Sequence, residues 1–165
     1  MHAAASRSRA AALEGHPVSE LLACPPETSK LLSGAAQCLS YEAGDLVFRQ
    51  DESCAGLYLV ISGEFLRRSD RFSTHITLGT ARAGDLVELA AALGDLRHTY
   101  TLSTLTPGAL LLLPSEALEK AFALHAPLRM HLLEELAREV SRAYWTTCSS
   151  RTTPLRRRPN GGSSF

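Results

Sequence analysis

The residues best placed to do chemistry lie in one segment, Gly84-Asp85-Leu86-Val87-Glu88-Leu89-Ala90-Ala91-Ala92-Leu93-Gly94-Asp95-Leu96-Arg97-His98-Thr99. It holds an acid, Glu88, and a base, Arg97, on either side of a short helix turn, Leu89 to Leu93. A guanidinium is a planar fork of donors that matches a phosphate. Backbone N–H groups at a helix start favour the same anion. A carboxylate accepts hydrogen bonds from hydroxyls, and a glycine lets backbone come close. Elsewhere the sequence offers little reactive chemistry. Cys24, Cys38, Cys54 and Cys148 show no two-residue spacing, which argues against a zinc knuckle. They read as small buried or surface thiols of a reducing compartment. His75, His125 and His131 are dispersed, so no metal is assigned. Tyr58 and Trp145 read as packing or interface groups. No nucleophile, base and orienting group can be assembled, so the chain is not expected to be an enzyme.

A chain of 165 residues suits one domain with some tail. Seventeen basic and seventeen acidic side chains cancel, which excludes a strongly basic nucleic-acid-binding body. No apolar run approaches a membrane span, Ala109 to Leu113 being among the longest at five residues, and no secretory signal is read at the start. A cytoplasmic protein without membrane contact is expected. Residues 1–15 read as a disordered arm. Two short helices are expected between His16 and Leu39, broken at Pro25-Pro26. Strands are expected at 39–42, 46–50, 57–62, 64–68, 75–80, 86–87, 100–106 and 109–113, with Gly56, Gly63, Gly84 and Gly108 in turns. Ala-Gly-Asp occurs twice, each time before Leu-Val. Ser115 is the expected cap of a following helix. Pro127 starts a longer helix to about Tyr144, so that the C-terminal helices occupy 115–146. Its apolar stripe is Leu128, Leu132, Leu136, Val140 and Ala143, flanked by Leu133 and Tyr144. On its charged face Glu134 and Arg138 form a favourable pair one turn apart. Residues 149–165, with Arg156-Arg157-Arg158, read as a solvated basic tail.

Two stretches carry a family resemblance: Tyr41-Glu42-Ala43-Gly44-Asp45-Leu46-Val47-Phe48-Arg49 and Gly56-Leu57-Tyr58-Leu59-Val60-Ile61-Ser62-Gly63-Glu64. Together they resemble the front half of the cyclic-nucleotide-binding domain of the catabolite-activator and fumarate-nitrate regulator (Crp/Fnr) superfamily. The resemblance covers about residues 18–144. It implies a mainly β fold with flanking helices: an antiparallel jelly-roll barrel (a double-stranded β-helix) over about 39–113 within a domain of 16–148, plus a long C-terminal helix. That helix packs on the barrel and on its copy in a second subunit, which implies a homodimer through Leu132, Leu136, Val140 and Ala143. The 149–165 segment is too short and polar for the family's winged helix-turn-helix, so no DNA-binding domain is expected.

The resemblance also implies a ligand, cAMP or cGMP, in a pocket made by Glu88, Leu89, Ala90, Arg97, His98 and Thr99. Glu88 would take the ribose and Arg97 the phosphate. Val87 stands where the family has glycine before the glutamate, and His98 where a small residue follows the arginine. A second register, anchored on Gly84-Asp85, puts Glu88 on the family's glycine and Leu89 on its glutamate, and loses the ribose acceptor. Two functions stay open: a sensory, ligand-binding regulatory domain, or a ligand-free interaction and dimerisation module left from a truncated transcription regulator.

Overall fold

Two leucine-rich segments, 57–61 and 109–113, form the strand pair on which the domain is built. The computed structural model describes residues 7–8, 18, 22–71 and 74–149. Its elements are β1 (Arg7–Ser8), α1 (Pro26–Ala35), β2 (Gln37–Tyr41), β3 (Leu46–Phe48), β4 (Gly56–Ser62), β5 (Phe65–Arg71) and β6 (Thr74–Ala81). Then follow β7 (Leu86–Val87), α2 (Leu89–Leu93), β8 (Thr101–Thr104), β9 (Gly108–Pro114), α3 (Ser115–Leu124) and α4 (Ala126–Ser149). One sheet runs β1-β2-β9-β4-β7 and the other β3-β8-β5-β6, and every pairing is antiparallel. This is the expected jelly roll with helices before and after it.

The unbroken apolar runs of β4 and β9 follow from burial on both faces. Side chains alternate along a strand. Leu57 and Leu59, paired with Leu113 and Leu111, face a core closed by Leu32, Leu118, Leu128 and Leu132 of the helices. Tyr58 and Val60, paired with Leu112 and Leu110, face the second sheet, where Phe48, Phe65 and Leu102 fill the space. Each such side chain contributes about 1.5–3 kcal/mol of burial. The repeated Ala-Gly-Asp makes two equivalent turns. Asp45 Oδ2 accepts the Glu42 N–H and Asp85 Oδ2 the Arg82 N–H, each at 2.8 Å, while Gly44 and Gly84 hold φ of 86° and 93°.

Several expectations are corrected. The arm is not featureless: Arg7–Ser8 pairs with Leu39 and Cys38, satisfying the open edge of β2. The rest of 1–15 lies outside the described residues, as do 150–165 and most of the helix expected before the prolines, although Val18 is helical. The second of those helices ends at Ala35, and strand starts at Gln37. The expected 100–106 strand shrinks to Thr101–Thr104. Ser115 does not cap α3: it is already helical and its N–H is held by the Ala55 carbonyl, leaving Pro114 at the cap position. Gly63 and Gly84 lie in turns, whereas Gly56 and Gly108 open strands. At Gly56 the reason is close approach, since a Cβ there would lie 2.1 Å from the Leu113 carbonyl oxygen. α4 runs to Ser149, past the expected end. Among the described residues no helix is long and apolar enough to cross a membrane.

Candidate functional site

The expected ligand segment leaves the five-stranded sheet at β7, turns at Glu88 and forms the single helical turn α2. Glu88 has φ 70° and ψ 33°, the left-handed conformation that glycine adopts most readily. The second register, as read from the sequence, puts the family's glycine at this position. Its side chain is fully buried. Thr99 donates to it twice, from N–H at 3.2 Å and from Oγ1 at 3.3 Å, and the Glu88 N–H donates to the Tyr100 hydroxyl at 3.3 Å. Burial first, then the Glu88 charge, pushes the Tyr100 phenol well above its ordinary range.

The segment returns to β8 along the loop between β3 and β4. Cys54 N–H donates to the Leu96 carbonyl at 2.7 Å, His98 N–H to Glu52 at 2.9 Å, and Asp51 N–H to His98 at 2.8 Å. This strand-like zipper, with Ser53 opposite Arg97, decides where the arginine points. The Arg97 side chain is exposed and donates to the Asp51 carbonyl at 3.1 Å. His98 points inward, buried, and stacks on Phe48 with ring centroids 3.7 Å apart and planes 5° apart.

A cavity of about 900 Å³ opens beside this segment. Glu88, Leu89, Ala90 and Thr99 line it together; Arg97 and His98 do not. Across from them stands α4, with Glu135, Leu136, Glu139 and Val140, and β6 adds Ile76 and Leu78. The expected pairing of Glu88 with Arg97 in one concavity is therefore not found, because the loop zipper turns the arginine outward. The cation on this wall that bridges to α4 is Arg67. It donates to Glu139 at 3.0 Å and to the Thr80 carbonyl at 3.3 Å, and its Cζ lies 6.0 Å from the Tyr100 ring centre. Its buried Nε has no hydrogen-bond partner. Arg142 also lines the cavity. Sequence reasoning missed Arg67, although it shares a strand face with Phe65, a fully buried side chain. A charge on an inward strand face is the signal that could have found it.

Of the expected dimer residues, Leu132 is fully buried in the helix-side core, which leaves it no surface to offer a partner. Leu136 packs partly against that core, while Val140 and Ala143 are exposed.

The chain is thus an antiparallel jelly roll with one helical turn inserted after a short strand and a long helix beside a cavity. The family model of the cyclic nucleotide-binding domain matches residues 38–125, more than half of the chain, and the protein belongs to that family. Its fold is that of a cyclic nucleotide-binding domain from Methylobacillus flagellatus, with a TM-score of 0.71 at 16% identity over 84% of each chain. The Thermus thermophilus Catabolite Activator Protein is similar at a TM-score of 0.65 and 25% identity, over 77% of this chain and 61% of that one. This chain thus spans under two thirds of that regulator. The sensor domain of the transcriptional regulator DNR from Pseudomonas aeruginosa matches at 0.65 and 20% identity, over 87% and 93%. No curated protein sequence matches the chain. These relations place it with the Crp/Fnr-type domains.

Proposed function

We propose that this chain is a sensory domain in which a small ligand enters the cavity beside α2 and changes how α4 meets a second copy of the chain. The observation that carries this reading is the Arg67–Glu139 ion pair, which joins the roll to α4 along the cavity wall. An anionic ligand competes with Glu139 for Arg67 and so acts directly on the helix. A cyclic nucleotide, cAMP or cGMP, is the first class to test. Glu88, Leu89, Ala90 and Thr99 supply its cassette, and Arg67 takes the phosphate in place of Arg97. The free thiols fit a reducing, cytoplasmic setting. Calorimetric titration of the native chain, Arg67→Ala and Arg97→Ala with each nucleotide tests the assignment. Losing a charge-assisted contact worth about 1.5–3 kcal/mol weakens binding roughly 10–150-fold in Arg67→Ala. Arg97→Ala should bind like the native chain, and a loss there would return the phosphate to Arg97.

The second reading is a ligand-free interaction and dimerisation module. It is favoured by the Glu88 carboxylate, wholly buried and already bonded to Thr99, in a backbone conformation that replaces a glycine. No heat from either nucleotide at millimolar concentration (about the weakest affinity calorimetry reads) would select it.

A further inference from the structure

Behind the cavity wall, three ligating side chains meet in the interior. One ligand atom each of Cys54, Glu88 and His98 lies within 4.8 Å of the others, and all three residues are buried. They come from segments that the loop zipper holds together, so the grouping is built by the fold. His98 is only 3% exposed, and its Nδ1 has no hydrogen-bond partner. That atom lies 3.7 Å from Glu88 Oε2, beyond hydrogen-bond range, and stacking on Phe48 fixes the ring plane. The Glu88 carboxylate accepts from the two Thr99 donors, both at long distance. A buried carboxylate and an orphaned imidazole nitrogen side by side are costly unless something satisfies both.

We propose that Cys54, Glu88 and His98 form a binding site for a divalent cation of the zinc class. A thiolate, a carboxylate and an imidazole are the donor set that zinc accepts, at about 2.3 Å for sulfur and about 2.0–2.2 Å for nitrogen and oxygen. Those lengths set the edges of a tetrahedron at about 3.3–3.6 Å. The Glu88–His98 edge, at 3.7 Å, is nearly there, and the others need a contraction of up to about 1.3 Å. The Cys54 Sγ contact to the Gly56 carbonyl, at 3.1 Å, is exchanged for the metal bond. Binding sends the thiol proton to solvent. The charges then balance: two positive on the ion, one negative each on thiolate and carboxylate, none on the imidazole. Three protein ligands leave the fourth position to a small molecule. Because Glu88 also lines the cavity, metal occupancy fixes the turn that precedes α2. This site does not depend on the cavity ligand proposed above.

The test uses the untagged full chain, stripped with chelator and titrated with cobalt(II), followed by competition with zinc(II). The expected result is one cobalt per chain with a thiolate charge-transfer band, displaced by zinc. Removing any one ligand, in Cys54→Ser, Glu88→Gln or His98→Gln, should weaken binding by more than about 100-fold, since even outer-sphere changes cost 10–100-fold. Zinc should raise the melting temperature of the native chain and leave His98→Gln unmoved. Should these variants not fold, zinc-edge X-ray absorption on the native chain must show one sulfur neighbour. A band that survives Cys54→Ser and disappears in Cys38→Ser or Cys148→Ser, a spectrum without sulfur, or no stoichiometric binding would overturn the proposal.

Discussion

Asp70 shows at the scale of one residue how the second sheet is tied. Its carboxylate accepts from His75 Nδ1 at 2.7 Å and Arg68 Nε at 3.1 Å on one oxygen, and from Thr101 Oγ1 at 3.0 Å on the other. The donors come from three adjacent strands, β6, β5 and β8. The His75 hydrogen bond foremost, then those of Thr101 and Arg68, holds the carboxyl below its ordinary value of 3.8. A carboxyl depressed in the folded state stabilises the fold above its unfolded value, and that contribution is lost as pH falls through the folded value. Asp70→Asn should therefore melt lower than the native chain at about pH 7, and the two melting temperatures should converge as pH falls through the folded value. A constant difference across that range would show that hydrogen-bond geometry, not charge, is what the substitution removes. The residues of the candidate site divide along similar lines. Glu88, Leu89, Ala90 and Thr99 line one cavity, and one short segment of sequence carries all four. Arg97 is placed by its pairing with Ser53, a partner from another loop, so its outward direction had no local signal. Arg67 and Cys54 reach the site region from strands and loops far along the chain, and their roles appear only when the segments are brought together.

At the scale of the element, α4 has two halves. Leu128 and Leu132 anchor the first half in the core, while the second half is held to the roll by Arg67–Glu139. Glu139→Gln keeps the shape and removes the charge. A partly exposed ion pair contributes only about 0.2–1 kcal/mol, so the melting temperature should barely move. Local opening should respond more, because the pair joins this half of the helix directly to the roll. Hydrogen exchange followed by mass spectrometry should show faster exchange over 136–149 and none of this over 126–133. Equal exchange in both halves would mean that Arg67 does not tether the helix. The strands were legible because turn residues bracket apolar runs, and the heptad-like leucine stripe announced α4. Its Glu134–Arg138 pair also forms, at 3.6 Å. What sequence could not give was the role of Gly56, set by a carbonyl of β9 passing beside it, or the start of α3, set by the Ala55 carbonyl taking the Ser115 N–H. Both depend on long-range approach, to which period and propensity are blind.

For the molecule as a whole, the question is what covers the exposed half of α4. Val140, Tyr144 and Trp145 are 60%, 65% and 68% exposed, and Ile76 and Leu78 on edge strand β6 are half exposed. Ile76, Leu78 and Val140 line one cavity and Tyr144 meets Trp145 edge to face, and clustered exposed apolar side chains suit an interaction site. The occupant we propose is a second copy, in a two-fold contact where each α4 meets its own counterpart in parallel. Leu132 is spent on the monomer core, so the contact centres further along, at Val140 and Tyr144, with Leu136 and Ala143 beside them. Leu136 also packs inward, and charging it would confuse unfolding with dissociation. Val140→Glu with Tyr144→Glu avoids this, because both side chains lie in solvent in a single chain and their replacement leaves the core intact. Two charges on each copy then face each other at the axis, and like charges without partners oppose association. Light scattering coupled to size exclusion at about tens of micromolar should report a native dimer, since self-association near 1 μM corresponds to about 8 kcal/mol. The double variant should elute as a monomer with an unchanged circular dichroism spectrum. A native chain that is monomeric under those conditions, or a double variant that remains dimeric, would remove α4 from the interface and leave its apolar face to a different partner.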